Sequence, residues 1–177
     1  MKELLDKVKN QFAESLPFVV YCKPNSDTIT GLFQLDANLY SVENFNEKGF
    51  VFASFDGNQI CLIPEKHSEK VSFGFDKKDI FSSEKEFNSP DETAKNKFET
   101  LVSEGIQAIK KEQFKKVVLS RTEVVNLTDF DLGTVFEKLV QLYPTTFVYC
   151  FFHPKLGMWM GATPEQLVQS QNKNIKT

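Results

Sequence analysis

The sequence predicts an α+β fold: an antiparallel strand meander packed against amphipathic helices. Three observations carry that expectation. Runs of β-branched and aromatic residues are separated by turn residues early in the chain. Apolar residues recur at helical spacing in three places, and many of the 18 Phe residues sit inside the strand-like runs, where they would fill sheet faces. At 177 residues, with 41% hydrophobic and 25% charged residues, the chain suffices for one domain with a real core. Its composition is too ordinary for a disordered, collagenous or disulfide-scaffold protein.

Taken in order, Leu4, Leu5, Val8 and Phe12 fall on one helical face, so residues 2–14 read as a helix that stops before Leu16 and Pro17. Strands are expected at Phe18 to Cys22, Thr28 to Leu35, Phe50 to Phe55 and Gln59 to Pro64. The last two are joined through Asp56-Gly57-Asn58, a strong hairpin signal. Residues 65–88 read as a surface connection with one short strand at Val71 to Phe75. Ser89-Pro90-Asp91-Glu92 has the form of a capping box, with Ser89 as N-cap of a helix over about 90–112. Phe114 to Val125 (FKKVVLSRTEVV) reads as a long strand, and Leu132 to Val140 as a helix stopped by Tyr143-Pro144. A strand pair, Thr146 to Phe152 and Gly157 to Ala162, turns across His153-Pro154-Lys155-Leu156, and Leu167 to Ser170 reads as a further strand. The whole is expected to be one domain, residues 1–88 being a strand-rich meander and 89–177 a helix-and-strand segment.

Charge and cysteine usage narrow the partners. With 21 Lys and Arg against 24 Asp and Glu, the net charge of −3 speaks against broad binding to nucleic acid or to an anionic membrane. Cys22, Cys61 and Cys150 are an odd, widely spaced set without a CxxC pair, which suits a reducing compartment, so the cytoplasm is expected. The charged N-terminus lacks the apolar core of a signal peptide, and the longest apolar run, Phe147 to Phe152, is too short to span a bilayer.

Phosphate-binding loops, dinucleotide turns, HExxH and GxSxG are all missing, and His67 and His153 stand in unrelated contexts, His153 reading as a turn residue. Two segments stand out, FKKVVLSR over Phe114 to Arg121 and GATPEQL over Gly161 to Leu167. As a strand, the first would put Lys116, Val118 and Ser120 on one face and Lys115, Val117, Leu119 and Arg121 on the other, so only one of the adjacent lysines can point at a given site. Read alone, both lysines are strand-end charges in water. Glu165 read alone is a first-turn carboxylate of a short helix capped by Thr163, and Gly161 and Ala162 are small residues of a tight turn.

Together, in this order and with Lys116 and Glu165 standing 49 positions apart, the two segments resemble the chorismate-utilising enzymes, and among them the isochorismate synthases. The resemblance covers roughly residues 90–177. It implies large antiparallel sheets packed together with helices outside, this chain supplying the N-terminal half. It further implies that Lys116 is the general base activating water for attack at C2 of chorismate, and Glu165 the acid that protonates the departing C4 hydroxyl. Gly161 and Ala162 would lie where the substrate comes close. Exchange of one hydroxyl for another across a ring needs a proton acceptor on the attacking side and a donor on the leaving side. The demand on both groups is steep. A free Lys titrates near ~10.4 and must be tuned by burial or a neighbouring cation, while an acid Glu needs burial that outweighs any helix dipole. Amine-adding relatives carry Gln at the position of Lys116, and Gln cannot deprotonate water; salicylate synthases keep both residues.

Mg²⁺ is the cofactor the resemblance implies, with its glutamate ligands, and the Arg, Tyr and Lys residues that grip the substrate carboxylates, expected downstream of Thr177. This chain alone is then expected to be inactive. The expected activity is conversion of chorismate to isochorismate, feeding menaquinone or siderophore synthesis. The alternatives are a sister activity of the salicylate or anthranilate type, or a non-catalytic remnant in which Lys110, Lys111, Lys115 and Lys116 bind anions.

Overall fold

The computed structural model describes residues 2–76, 91–127, 130–164, 166, 168–171 and 174–176. It is α+β with antiparallel sheets, as the sequence predicts. The chain forms two compact units, one of residues 1–80 and 131–177, the other of residues 81–130.

In the larger unit, helix α1 (Lys2–Ala13) is followed by β1 (Phe18–Cys22), β2 (Thr28–Gln34), β3 (Gly49–Ala53), β4 (Ile60–Pro64) and β5 (Ser68–Gly74). Later in the chain, after helix α2 (Glu92–Lys110) of the smaller unit, come α3 (Leu132–Leu142), β6 (Phe147–His153), β7 (Gly157–Thr163), β8 (Gln169–Gln171) and β9 (Asn174–Lys176). A five-stranded antiparallel sheet has the order β5-β2-β1-β6-β7, while β3-β4 and β8-β9 are separate two-stranded sheets. Successive β1 side chains point to opposite faces. On one face Phe18, Val20 and Cys22 join Leu4 and Val8 of α1 and Phe136 and Val140 of α3. On the other, Val19 joins Leu32 and Phe151 beneath Cys61 and Ile63 of the β3-β4 hairpin. The result is three layers: helices, central sheet and hairpin. Gly133 lets α3 approach α1 closely, since a Cβ there would stand 3.0 Å from the Leu5 Cδ1. Burial pushes the thiol of Cys61 up to about 11 and that of Cys150 up to about 12, so both remain inert apolar side chains.

Several expectations are refined. The strand expected at Val71 to Phe75 begins three residues earlier and pairs along β2 from Thr28↔Gly74 to Gln34↔Ser68. The Asp56-Gly57-Asn58 turn is present, with Gly57 at φ +71°, the conformation glycine permits. Its Asp56 carboxylate takes bonds from the Ser54 hydroxyl and the Asn58 amide. The smaller unit holds α2 (Glu92–Lys110), whose N-cap is Asp91, accepting from the Thr93 N–H at 2.9 Å, rather than Ser89. Ser89 and Pro90 lie outside the described residues. The strand expected over Phe114 to Val125 is a correction, because residues 114–125 form no strand. β-branched residues favour a pleated, half-buried surface but cannot make a strand without a neighbour to pair with, and none of the described strands pairs with this segment.

One buried polar cluster closes an end of the central sheet. Gln34 and His153 are both fully buried. The Gln34 Nε2 donates to the carbonyls of Asp36 and Asn38, each at 2.8 Å, and to Asp36 Oδ1 at 3.1 Å. Burial opposes ionisation of Asp36, but bonds from the Asn38 N–H, the Tyr40 hydroxyl and the Gln34 amide outweigh it and hold the carboxyl below its ordinary range. The His153 Nδ1 accepts the Lys155 N–H at 3.1 Å, which leaves Nε2 to carry the proton facing the Asn38 carbonyl at 3.4 Å. His153 is therefore an anchor for the chain between β2 and β3, well beyond the turn residue that sequence suggests.

That arrangement requires a neutral ring. Burial, with help from the charge of Lys155, lowers the affinity of His153 for a proton despite its bond to Asn38. The unfolded chain therefore takes up a proton below about pH 6.5 that the folded protein resists. This contribution to stability is complete above that pH and is lost as the pH falls through the lower folded value. Thermal melts from pH 7.5 to 5 are expected to show a steeper loss of Tm for the wild type than for His153→Gln; parallel curves would contradict the assignment.

Candidate active site

The residues singled out by sequence fall in both units. In the smaller one, the segment after α2 is seated on that helix at Gly105. A Cβ on Gly105 would stand 3.2 Å from Leu119 Cδ1 and 3.5 Å from Val117 Cγ1, so the missing side chain is what admits the segment. Val118, between those two residues, is 82% exposed. The alternation expected of a strand thus persists without strand pairing. Lys116 is exposed, and no hydrogen bond or ion pair joins it to another described residue. Lys115, Lys110 and Lys111 are exposed as well, so burial does not single out one lysine. Further along, Arg121 pairs with Glu123 and, with Lys97, Phe98 and Leu101, lines a cavity of about 200 Å³.

In the larger unit, β6 and β7 form a hairpin whose turn places Gly157 at φ +79° and whose register sets Tyr149 opposite Gly161 and Val148 opposite Ala162. Ala162 packs on the helix-side core. Gly161 faces the other way, and the Tyr149 ring lies over it: a Cβ on Gly161 would meet the ring Cε1 at 3.0 Å and the hydroxyl at 3.2 Å. Sheet packing therefore accounts for both small residues, and a phenol covers the glycine. Tyr149 carries no motif. Counting back from the hairpin turn pairs it with Gly161, which is the one signal in the sequence that could have found it.

Thr163 ends β7, and Glu165, the expected acid, lies outside the described residues, as does Leu167. The short helix expected after Thr163 falls on a stretch that includes Glu165 and Leu167 and so lies outside the described residues. A larger cavity, about 540 Å³, lies beside Tyr40, Glu47, Lys48, Leu62 and Lys66; none of the sequence-derived site residues lines it, and its mixture of both charges names no ligand. Among the described residues, no three His, Cys, Asp or Glu side chains gather as metal ligands would. No helix among the described residues is long and apolar enough to cross a membrane.

A family model described as chorismate binding enzyme matches residues 51–177, a span that includes Lys116, Gly161, Ala162 and Glu165. No curated protein and no solved structure matches the chain.

Gly161→Ala is expected to destabilise the protein by about 1–3 kcal/mol, the usual cost of forcing an extra methyl into a packed site. Denaturant melts check this, and unchanged stability would mean that the Tyr149 ring is not held over the glycine.

Proposed function

This chain belongs to the chorismate-binding enzyme family, and from that premise we propose that it is an isochorismate synthase, adding water at C2 of chorismate with loss of the C4 hydroxyl. The observation that carries the reading is Lys116 in KVVLSR followed 49 positions later by Glu165 in GATPE, both inside the family match. A lysine can accept a proton from water, whereas the Gln of amine-adding relatives cannot. That difference favours a water nucleophile over ammonia. Lys116 serves as the base and Glu165 as the acid, so the proton taken from water on one side is matched by one given to the leaving hydroxyl on the other. The base role requires that Lys116, exposed in this structure, be covered when the substrate is bound. Dependence on Mg²⁺ is part of the same proposal, and the product would enter menaquinone or siderophore synthesis.

In the complete natural protein, Lys116→Ala and Glu165→Gln are each expected to lower kcat for isochorismate formation by about 100-fold or more, the usual worth of a positioned acid or base. Near-normal turnover in either variant would remove that residue from its role. Retention of binding to several unrelated anions, with no turnover by the wild type, would favour an anion-binding surface at Lys110, Lys111, Lys115 and Lys116 instead.

A further inference from the structure

The β6-β7 hairpin delivers one more group to the place where GATPE begins. Tyr149 stands on β6, yet its ring leans across the neighbouring strand, so that its hydroxyl comes within 3.2 Å of where a Gly161 side chain would start. β7 is the edge strand of the five-stranded sheet, with β6 on one side and no described strand on the other. The hydroxyl thus lies over β7, the strand that ends at Thr163, two residues before Glu165. The rest of the ring is held by aromatic neighbours: Phe50 and Phe52, each with its centroid 6.2 Å away, and Phe147 at 6.4 Å. No described residue takes a hydrogen bond from the hydroxyl. A ring held by apolar contacts, seated on a glycine of the last described strand of the sheet and ending in a donor that no described residue uses, is suited to meet a ligand there.

We propose that Tyr149 is a substrate-contacting residue whose hydroxyl donates a hydrogen bond to a carboxylate of the bound substrate, a small cyclic dianion; the assignment rests on the reading of this chain as an enzyme acting on chorismate beside the end of β7. Gly161 then has a specific task. A side chain there would displace the phenol, so Gly161 serves the site by admitting Tyr149 rather than by leaving room for the substrate. Burial pushes the phenol above its ordinary range, which keeps it a neutral donor at physiological pH. Such a donor adds affinity for an anionic group without taking part in the proton transfers assigned to Lys116 and Glu165.

The test compares the complete wild-type protein with Tyr149→Phe, which keeps the ring over Gly161 and removes only the oxygen. Chorismate binding is measured by calorimetry and turnover by steady-state kinetics, with thermal melts as the check on folding. The expected result is Kd and KM for chorismate raised by about 10-fold or more, as for loss of a hydrogen bond to a charged group, with kcat and Tm nearly unchanged. A variant that binds chorismate as tightly as the wild type would overturn the proposal while leaving the enzyme reading intact. A fall confined to kcat would also overturn it, since a donor to a remote carboxylate acts on binding. Failure of the wild type itself to bind chorismate would sink the enzyme reading, and this assignment with it.

Discussion

The larger unit depends on one constraint: β1 is buried on both faces while it is paired along both edges. Phe18, Val19 and Val20 are fully buried, and each contributes about 1.5–3 kcal/mol by leaving water. The two faces cannot be covered by one element. Helices α1 and α3 cover Phe18 and Val20, and the β3-β4 hairpin lies over the side of Val19. The two edges draw in β2, its neighbour in sequence, and β6, which arrives after more than a hundred intervening residues and pairs from Phe18↔Phe152 to Cys22↔Val148. Once β6 is fixed, β7 follows by its tight turn, and the position of Gly161 is set by the packing of a strand far earlier in the chain. A site built on such a strand end inherits the rigidity of the core.

The chemistry divides along the same line. The residues of β6 and β7 owe their placement to the sheet and are held on both faces. Lys116 stands instead in a segment that rests on α2 through Val117 and Leu119 and presents its remaining apolar residues, Val118 and Val124 among them, to solvent. An acid–base pair needs both partners positioned within hydrogen-bond reach of the reacting atoms. Of the two motifs, GATPE begins on a packed hairpin of the larger unit, and KVVLSR lies in a lightly packed segment of the smaller one.

Much of the fold was legible in the sequence because local signals coincide with the final contacts. The α1 stripe of Leu4 and Val8, the Asp56-Gly57-Asn58 turn and the β6-β7 pair were all read at nearly their observed bounds, since each is specified by residues close in sequence. Phe114 to Val125 was misread for the converse reason: its composition states a preference for sheet, but pairing depends on a neighbouring strand that no local pattern reveals. His153 was undervalued because its importance comes from Asn38, more than a hundred residues away, and from burial that a turn context does not suggest. Among the candidate residues, Lys116 and Glu165 stand out in the sequence through their ordered motifs, whereas Tyr149 is an ordinary aromatic in an aromatic-rich strand until the register sets it over Gly161.

We propose that the lysine of KVVLSR commits this family member to water as nucleophile. This is tested most directly by incubating the complete natural protein with chorismate and Mg²⁺, with and without ammonium, and identifying the products by NMR. Isochorismate as the sole product under both conditions is the predicted result. An aminated product appearing with ammonium would contradict it, whereas salicylate with release of pyruvate would keep water as the nucleophile and replace the isochorismate synthase reading by a sister activity.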